Sequence, residues 1–445
     1  MKFLMILLCK LLAFVGKLVN KGSSLPGKIV LKLCPNILQK ISLPKYVIAV
    51  TGSNGKTSTV EMIANVMSEN GLKVVWNKEG SNQIEGVTTL LLKNSDLRGR
   101  VCGDVVVLES DERYARHTFR HIKPTHFAVT NLYRDQLTRN VHPFWIYDII
   151  KEAVDLIPNA ELILNADDPI VSMLGHKRDK VCYFAMAKNA YCTSETDALY
   201  NDCTYCPVCG NSLAYEYFHY AHLGKFSCES CGYASAEPKY LVDSADLESK
   251  RISICGESID LAFASRYNVY NLCTAFAVCS IVGIPHEKIA SSLSSFIMKN
   301  GRVVRFKAGE NEGMLITSKH ENSTSYNQSL EYVCASKEKF TLAIIVDAIS
   351  RKYYTSETSW LWDISFEKLE NSTAEKILLC GNYAYDLAAR FEMTKIDPAK
   401  IKVIPDLDEM AKEIAAPSDG KLYAITCFSD KGKLFSRVEI LNDQI

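Results

Sequence analysis

At 445 residues the chain is longer than one ordinary hydrophobic core serves, so two or three domains are expected. With 51 basic and 51 acidic residues it lacks the basic excess of a nucleic-acid binder, and 47% hydrophobic with 23% charged residues excludes a disordered chain. The 16 cysteines, several in CxxC pairs, read as metal binding plus reduced buried thiols in a cytoplasmic protein rather than as a disulfide scaffold.

The chain opens on "MKFLMILLCKLLAFVGKLVNKG", which is strongly apolar. Lys10 and Lys17 interrupt it, so no uncharged run reaches the ~18–20 residues that span a bilayer. No small-residue cleavage site follows, which argues against a signal peptide. On a helical wheel Lys2, Lys10, Lys17 and Lys21 fall within about 100° of one another. Two readings stay open: a helix lying in a membrane interface with a basic edge, or a helix docked on the protein's own core or in a partner's groove.

After the turn-rich "GSSLPGK", the run "YVIAV" (46–50) reads as a buried parallel strand. Residues 57–70 read as a helix, "KVVW" (73–76) as a strand and "TTLLL" (88–92) as a helix end. "DVVVLE" (104–109), "HFAVT" (126–130) and "ELILN" (161–165) repeat the buried-strand pattern, which predicts a doubly wound parallel sheet of the P-loop type. Residues 190–250 break the rhythm with clustered Cys, Tyr and Gly; two helices follow at 267–284 and 285–296. From "NGRVVRF" (300–306) a smaller α/β, Rossmann-like domain is expected, with strands at 340–348, 376–381, 401–405 and 421–428.

Between the first strand and helix lies "TGSNGKTSTV" (51–60). Glycines that let backbone N–H groups face an anion, followed by a helix N-terminus, make a phosphate cradle. Gly52, Asn54, Gly55, Lys56, Thr57 and Ser58 are the candidate nucleotide-binding residues. Lys56 is placed to reach the β/γ-phosphates of ATP and Thr57 to ligate Mg²⁺. Val50 stands where longer loops have a first glycine. Glu109, at the end of "VVVLE", is the candidate carboxylate for the metal, with Asp111 or Glu112 assisting; the bland alternative is a solvated acidic loop.

"CPVCG" (206–210) and "CESCG" (228–232) place Cys206, Cys209, Cys228 and Cys231 at the spacing of a four-thiolate zinc ribbon. Four thiolates leave no open position for water, so this Zn²⁺ is expected to be structural. Cys203 also forms a CxxC with Cys206, which leaves a small ambiguity. "TNLYRDQL" (130–137), "LNADDP" (164–169) and "RYNVYN" (266–271) are, each alone, more often capping or turn chemistry.

In this order, TGSNGKT, the Glu-bearing strand end, TNLYRDQL, LNADDP and YNVYN resemble the central domain of the Mur ligases, an ATP-dependent amide-forming family. The inserted Cys₄ ribbon, the lead-in "SLPGKIVLKLCPNIL" (24–38), "TSWLWDISFE" (358–367) and "CGNYAYDLAARF" (380–391) resemble the MurT branch, the synthetase subunits of lipid II isoglutaminyl synthase. The resemblance implies three parts: a lead-in over 1–40, a central ATP-binding domain over 41–300 with the ribbon at about 200–235, and a C-terminal domain over 301–445. It implies that ATP phosphorylates the D-glutamate α-carboxylate of the lipid II stem peptide, and that ammonia from a GatD-like glutaminase partner then gives D-isoglutamine. It also implies that Asn268 and Asn271 contact the base and Arg302 the phosphates. A family aspartate that completes the partner's glutaminase triad is matched by Glu357, with Asp363 as the fallback. "ENSTSYN" (321–327) departs from the family's KNPAGFN-like loop, and the closing TYT-type motif is missing. Two other readings therefore stand: a ligase with a changed acceptor, or a nucleotide-binding scaffold.

Overall fold

The computed structural model describes residues 1–18, 23–78, 81–196, 198–262, 265–297, 303–348 and 357–441. They form two compact units, one of Met1–Tyr133, Pro143–Thr196 and Asp202–Phe296, the other of Arg134–His142, Asp197–Asn201 and Ile297–Ile445.

Numbered along the chain, the first unit begins with α1 (Lys2–Leu18), α2 (Leu25–Leu33), β1 (Tyr46–Thr51), α3 (Lys56–Glu69), β2 (Val74–Trp76), α4 (Ile84–Lys93), β3 (Val105–Glu109), α5 (Ala115–Thr118) and β4 (His126–Val129). The short α6 (Leu137–Asn140) belongs to the second unit. The first resumes with α7 (Pro143–Asp155), β5 (Glu161–Asn165), α8 (Pro169–Ser172), β6 (Val181–Met186), β7 (Ala214–Tyr220), β8 (Leu223–Ser227), β9 (Tyr240–Asp246), β10 (Arg251–Ile254), β11 (Glu257–Asp260), α9 (Arg266–Val282) and α10 (His286–Ser294).

Nine strands of this unit make one sheet in the order β11-β10-β9-β6-β5-β4-β1-β3-β2. Successive side chains of a strand point to opposite faces, and both faces here are covered. Ile48 and Val50 join Val60 and Ile63 of α3 and Val269 and Phe276 of α9 in one core. Ala49, Phe127, Leu162 and Leu164 join Ile146 and Ile150 of α7 in a second. Val47, Val106 and Leu108 meet Leu91 of α4, Val30 of α2 and Ile6 of α1 in a third. Burial on both faces is why these strands read as continuous apolar runs.

The sheet is mixed, which corrects the expected all-parallel sheet. From β2 to β9 the neighbours are parallel, but β10 pairs antiparallel with both β9 and β11. This edge escapes sequence reading because its strands alternate. Asp243, Ser244, Glu257 and Asp260 sit among Val242, Ile252 and Ile259, the pattern of a half-solvated ladder. α9 is buried on all sides from Asn268 to Cys279, as its largely apolar sequence requires. Among the described residues no helix is long and apolar enough to cross a membrane.

The second unit continues with β12 (Val303–Ala308), β13 (Asn311–Ser318), α11 (Ser323–Cys334), β14 (Phe340–Ile345), β15 (Ala374–Cys380), α12 (Ala384–Phe391), β16 (Ile401–Ile404), α13 (Leu407–Ala415), β17 (Lys421–Cys427), α14 (Lys431–Phe435) and β18 (Glu439–Ile440). Its sheet runs β16-β15-β14-β17-β13-β12-β18, parallel as far as β13 and antiparallel beyond. Phe306, Leu315, Ile345, Leu378, Met410 and Leu434 centre its core.

Candidate active site

β1 runs through to Thr51, with Val50 fully buried and opposite Glu109 of β3. The position of the missing early glycine is therefore a strand position that needs a side chain for the core. The turn starts at Gly52 (φ 141°) and closes at Gly55 (φ 83°), both backbone conformations that L side chains rarely adopt. A Cβ on Gly52 would lie 2.2 Å from Thr130 Oγ1, and one on Gly55 2.0 Å from Asn271 Oδ1. Gly55 also caps α3, whose first-turn N–H groups have no acceptor within the helix and form a ready anion site.

The loop is strapped to the segment after β4. Asn54 N–H donates to Asn131 Oδ1 at 2.8 Å, while the Asn54 carbonyl accepts from Asn131 Nδ2 (3.1 Å) and Thr130 Oγ1 (3.0 Å). Ser53 N–H donates to the Asn131 carbonyl, and Tyr133 N–H to Ser53 Oγ at 2.9 Å. The main-chain groups of Asn54 are thus committed to the loop's own shape. Asn131 is the partner that makes the short loop rigid.

Lys56 Nζ donates to the Gly52 carbonyl and to Glu112 Oε2 at 2.9 Å, with the two side chains 12% and 5% exposed. Thr57 is exposed and Ser58 half-buried. Glu109, Asp111 and Glu112 are all buried at the C-terminal end of β3. Glu109 Oε1 accepts from Asn82 Nδ2 at 3.2 Å, and Asn77 pairs with its main chain on both sides. Glu112 pairs with the lysine, and Glu109, Asp111 and the exposed Thr57 hydroxyl are the remaining hard oxygen donors of the kind that suits Mg²⁺.

Asn268 and Asn271 both lie buried at the start of α9. Among the described residues neither side-chain polar atom of Asn271 has a hydrogen-bond partner, and the amide presses against Gly55. A buried amide in that state is held for a ligand or water.

Below the loop runs a polar network of which sequence reading picked out the LNADDP residues but not their histidine and tyrosine partners. Asn165 Nδ2 donates to the Thr130 carbonyl at 3.1 Å. Asp168 caps α8 and accepts Leu132 N–H at 2.9 Å, so the capping reading of LNADDP is right for this residue. Asp167 accepts from Met186 N–H and Tyr270 OH, each at 2.8 Å, and complete burial pushes its carboxyl up to about 7. Tyr133 OH donates to Tyr220 OH at 2.7 Å. His219 and His222, near the β7–β8 turn, approach Asp167 and Asp168 at 3.8 and 3.5 Å. Burial drives His219 down to about 4. Burial also opposes charge on His222, but the Asp168 carboxylate outweighs it and raises this imidazole above its ordinary value. For His219, Tyr220 and His222 the sequence signal was the His- and Tyr-rich "YFHYAHLG" (217–224).

The Sγ atoms of Cys206, Cys209, Cys228 and Cys231 all lie within 4.8 Å of one another. Cys206 to Cys231 is 3.6 Å and Cys209 to Cys228 is 3.5 Å. Zinc–sulfur bonds of ~2.3 Å span tetrahedral edges of about 3.8 Å, so the cluster has room for such an ion. The two knuckles match: Gly210 (φ 78°) donates to the Cys206 carbonyl and Gly232 (φ 74°) to the Cys228 carbonyl, each at 2.9 Å. Cys203 is fully buried in the α7-side core, outside the cluster.

The second unit holds Glu357 and Asp363, and Arg302 lies outside the described residues. Glu357 is exposed and accepts from Ser359 N–H at 2.8 Å; hydrogen bonds from the Ser359 hydroxyl and N–H hold its carboxyl below the usual range. Asp363, 10% exposed, is 3.7 Å from Arg134. Of the two, Glu357 is the carboxylate offered outward. The "TNLYRDQL" segment serves this unit as well: the buried Asp135 pairs with Lys319 and accepts from Asn322 Nδ2 at 2.9 Å. Lys319 supplies a cation two residues before the position where Glu321 replaces the expected lysine.

Residues 50–279 match the Mur ligase middle domain, and residues 320–430 match the MurT ligase C-terminal family. The chain is 29% identical over 424 residues to the lipid II isoglutaminyl synthase (glutamine-hydrolyzing) subunit MurT of Staphylococcus aureus (strain COL), covering 94% of this chain and 93% of that protein. It is 29% identical over 431 residues to the subunit of the same name from Streptococcus pneumoniae (strain ATCC BAA-255 / R6), covering 94% and 92%. Among solved structures, a pseudomurein peptide ligase type C from Methanothermus fervidus aligns with a TM-score of 0.68 at 22% identity, covering 88% of this chain and 78% of that one. The chain belongs to the Mur ligase family of ATP-dependent ligases, and its C-terminal domain is of the MurT type.

Proposed function

We propose that this protein amidates the D-glutamate α-carboxylate of the lipid II stem peptide, working at the cytoplasmic face of the membrane as the synthetase partner of a GatD-like glutaminase. The observation that carries the reading is the pairing of a complete TGSNGKT cradle with a MurT-type C-terminal domain on one chain. We keep the division into a lead-in (1–40), a central ATP-binding domain (41–300) and a C-terminal domain (301–445).

In this reading a carboxylate oxygen of the acceptor attacks the γ-phosphorus of ATP, ADP leaves, and an acyl phosphate forms. Ammonia then attacks the acyl carbon, phosphate departs, and a proton is lost to solvent. Lys56 and the N–H groups at the start of α3 hold the transferring phosphoryl group, whose charge is spread over its outer oxygens. Glu109 and Thr57 would hold Mg²⁺, which when bound neutralises charge on the β- and γ-phosphates. Glu112 keeps Lys56 extended across the loop before nucleotide arrives. Asn271 completes the floor of the cradle behind Gly55. A Zn²⁺ on the four cysteines would staple the β7–β8 hairpin, and Glu357 would face the glutaminase. Asn268, Asn271 and Arg302 keep their expected nucleotide contacts.

Purified chain supplied with ATP, Mg²⁺, lipid II and ammonium is expected to release ADP and convert the stem-peptide carboxylate to an amide, read by mass spectrometry. ADP release with an unchanged stem peptide would favour a different acceptor. Neither product would leave the scaffold reading.

A further inference from the structure

The N-terminal helix carries two apolar faces. Ile6, Cys9 and Ala13 point inward and are almost completely buried against the core shared with α2 and α4. Phe3, Leu4, Leu7, Leu11, Phe14 and Val15 lie on the opposite side, between 48% and 71% exposed. At 100° per residue these six span an arc of roughly 120°, a continuous stripe three turns long. The buried face already anchors the helix, so the outer stripe is not needed for docking on the protein's own core. The neighbouring α2 adds exposed Leu25 and Leu33 beside exposed Lys28 and Lys32.

Charge supplies the second observation. Residues 1–45 contain eight lysines and no acidic residue, in a chain whose totals are 51 and 51. The whole positive excess of this segment is therefore balanced elsewhere in the chain. A broad apolar stripe with lysines along one edge, on a helix too short to cross a bilayer, matches an anionic lipid surface. A protein groove would have to supply an equal run of acids along its rim.

We propose that α1, assisted by the lysines of α2, docks the folded protein on the surface of anionic bilayers, with the Phe3–Val15 stripe in the headgroup layer. The proposal deepens the lipid-linked acceptor reading, since it explains how the ligase reaches a substrate that cannot leave the membrane.

The test is co-sedimentation of the full chain with vesicles of phosphatidylcholine alone or mixed with phosphatidylglycerol. Binding to the anionic vesicles is expected, weakened by high salt and much weaker with phosphatidylcholine alone. The Leu7→Glu/Leu11→Glu variant, altered only on the outer face, should keep its melting temperature and ATP affinity while losing vesicle binding by tenfold or more, on the order expected when an apolar face is lost. Lys28→Glu and Lys32→Glu should each weaken binding by roughly fivefold or more. A full chain that stays in the supernatant with every vesicle overturns the proposal, as does undiminished binding by Leu7→Glu/Leu11→Glu. A self-associated chain that the same variant turns monomeric, with no vesicle binding, also overturns it and assigns the stripe to a second copy. Amidation of a lipid-free acceptor by a chain that ignores vesicles would sink this proposal alone. Vesicle binding with no amidation under any condition would sink the function reading alone.

Discussion

Lys56→Ala is expected to lower ATP-dependent turnover by roughly 10³-fold, the scale seen when one preorganised electrostatic contact to a reacting group is removed. The argument rests on where Lys56 sits. Its ammonium group is already extended across the mouth of the loop, held by the Gly52 carbonyl and Glu112. No side-chain search is needed when nucleotide binds, so its contribution falls on the phosphoryl-transfer step. The substitution has a structural cost as well, because it takes the Lys56 ammonium away from the nearly buried Glu112, and losing one partner of a buried pair costs about 3–5 kcal/mol. Adding Glu112→Gln removes that carboxylate's charge. The double variant should regain most of the lost melting temperature and none of the lost activity. If turnover returns along with stability, Lys56 is a structural residue and the phosphate role is wrong.

The second large effect concerns the cysteine cluster. Replacing Cys228 with Ser, or stripping metal with a strong chelator, is expected to lower unfolding stability by about 4 kcal/mol or more, a size reserved for losses such as a structural metal. For a domain of this size that is a fall in melting temperature of roughly 10 °C. The consequence should not stop at the ribbon. The β7–β8 hairpin between the two knuckles carries His219 and His222 onto Asp167 and Asp168, and Tyr220 onto Tyr133. Tyr133 in turn bonds Ser53 of the phosphate loop. Calorimetry with bound-metal analysis checks the stability change, and an ATP titration checks the loop. A larger loss of ATP affinity than of stability would make the ribbon part of the nucleotide site rather than its support.

How far the sequence carries the reader depends on the range of the interaction. The buried strands were legible because both faces of the central sheet are covered, so Val105–Glu109 and Glu161–Asn165 appear as unbroken apolar runs. β9 to β11 were not, since an edge that is half solvated alternates polar and apolar residues. The β12–β13 hairpin was missed for the same reason, with Arg305 and Lys307 interleaved among Val304 and Phe306. In the site, the phosphate loop could be read because its chemistry is contained in seven consecutive residues. The partner of Asn131 could not be read, because the group it serves is 77 residues away along the chain. "ENSTSYN" departs from the family loop at its lysine, while Lys319 pairs with an aspartate 184 residues earlier, a relation no local pattern encodes. The four cysteines lie at the opposite extreme, since two CxxCG knuckles fix their own geometry wherever the chain puts them.

The central claim is that the γ-phosphoryl group passes to a carboxylate. Lipid II labelled with ¹⁸O in the D-glutamate α-carboxylate, turned over with ATP and ammonium, tests it directly. The account predicts that one labelled oxygen per amide formed appears in the released inorganic phosphate. Phosphate that carries no label while the amide accumulates would contradict it.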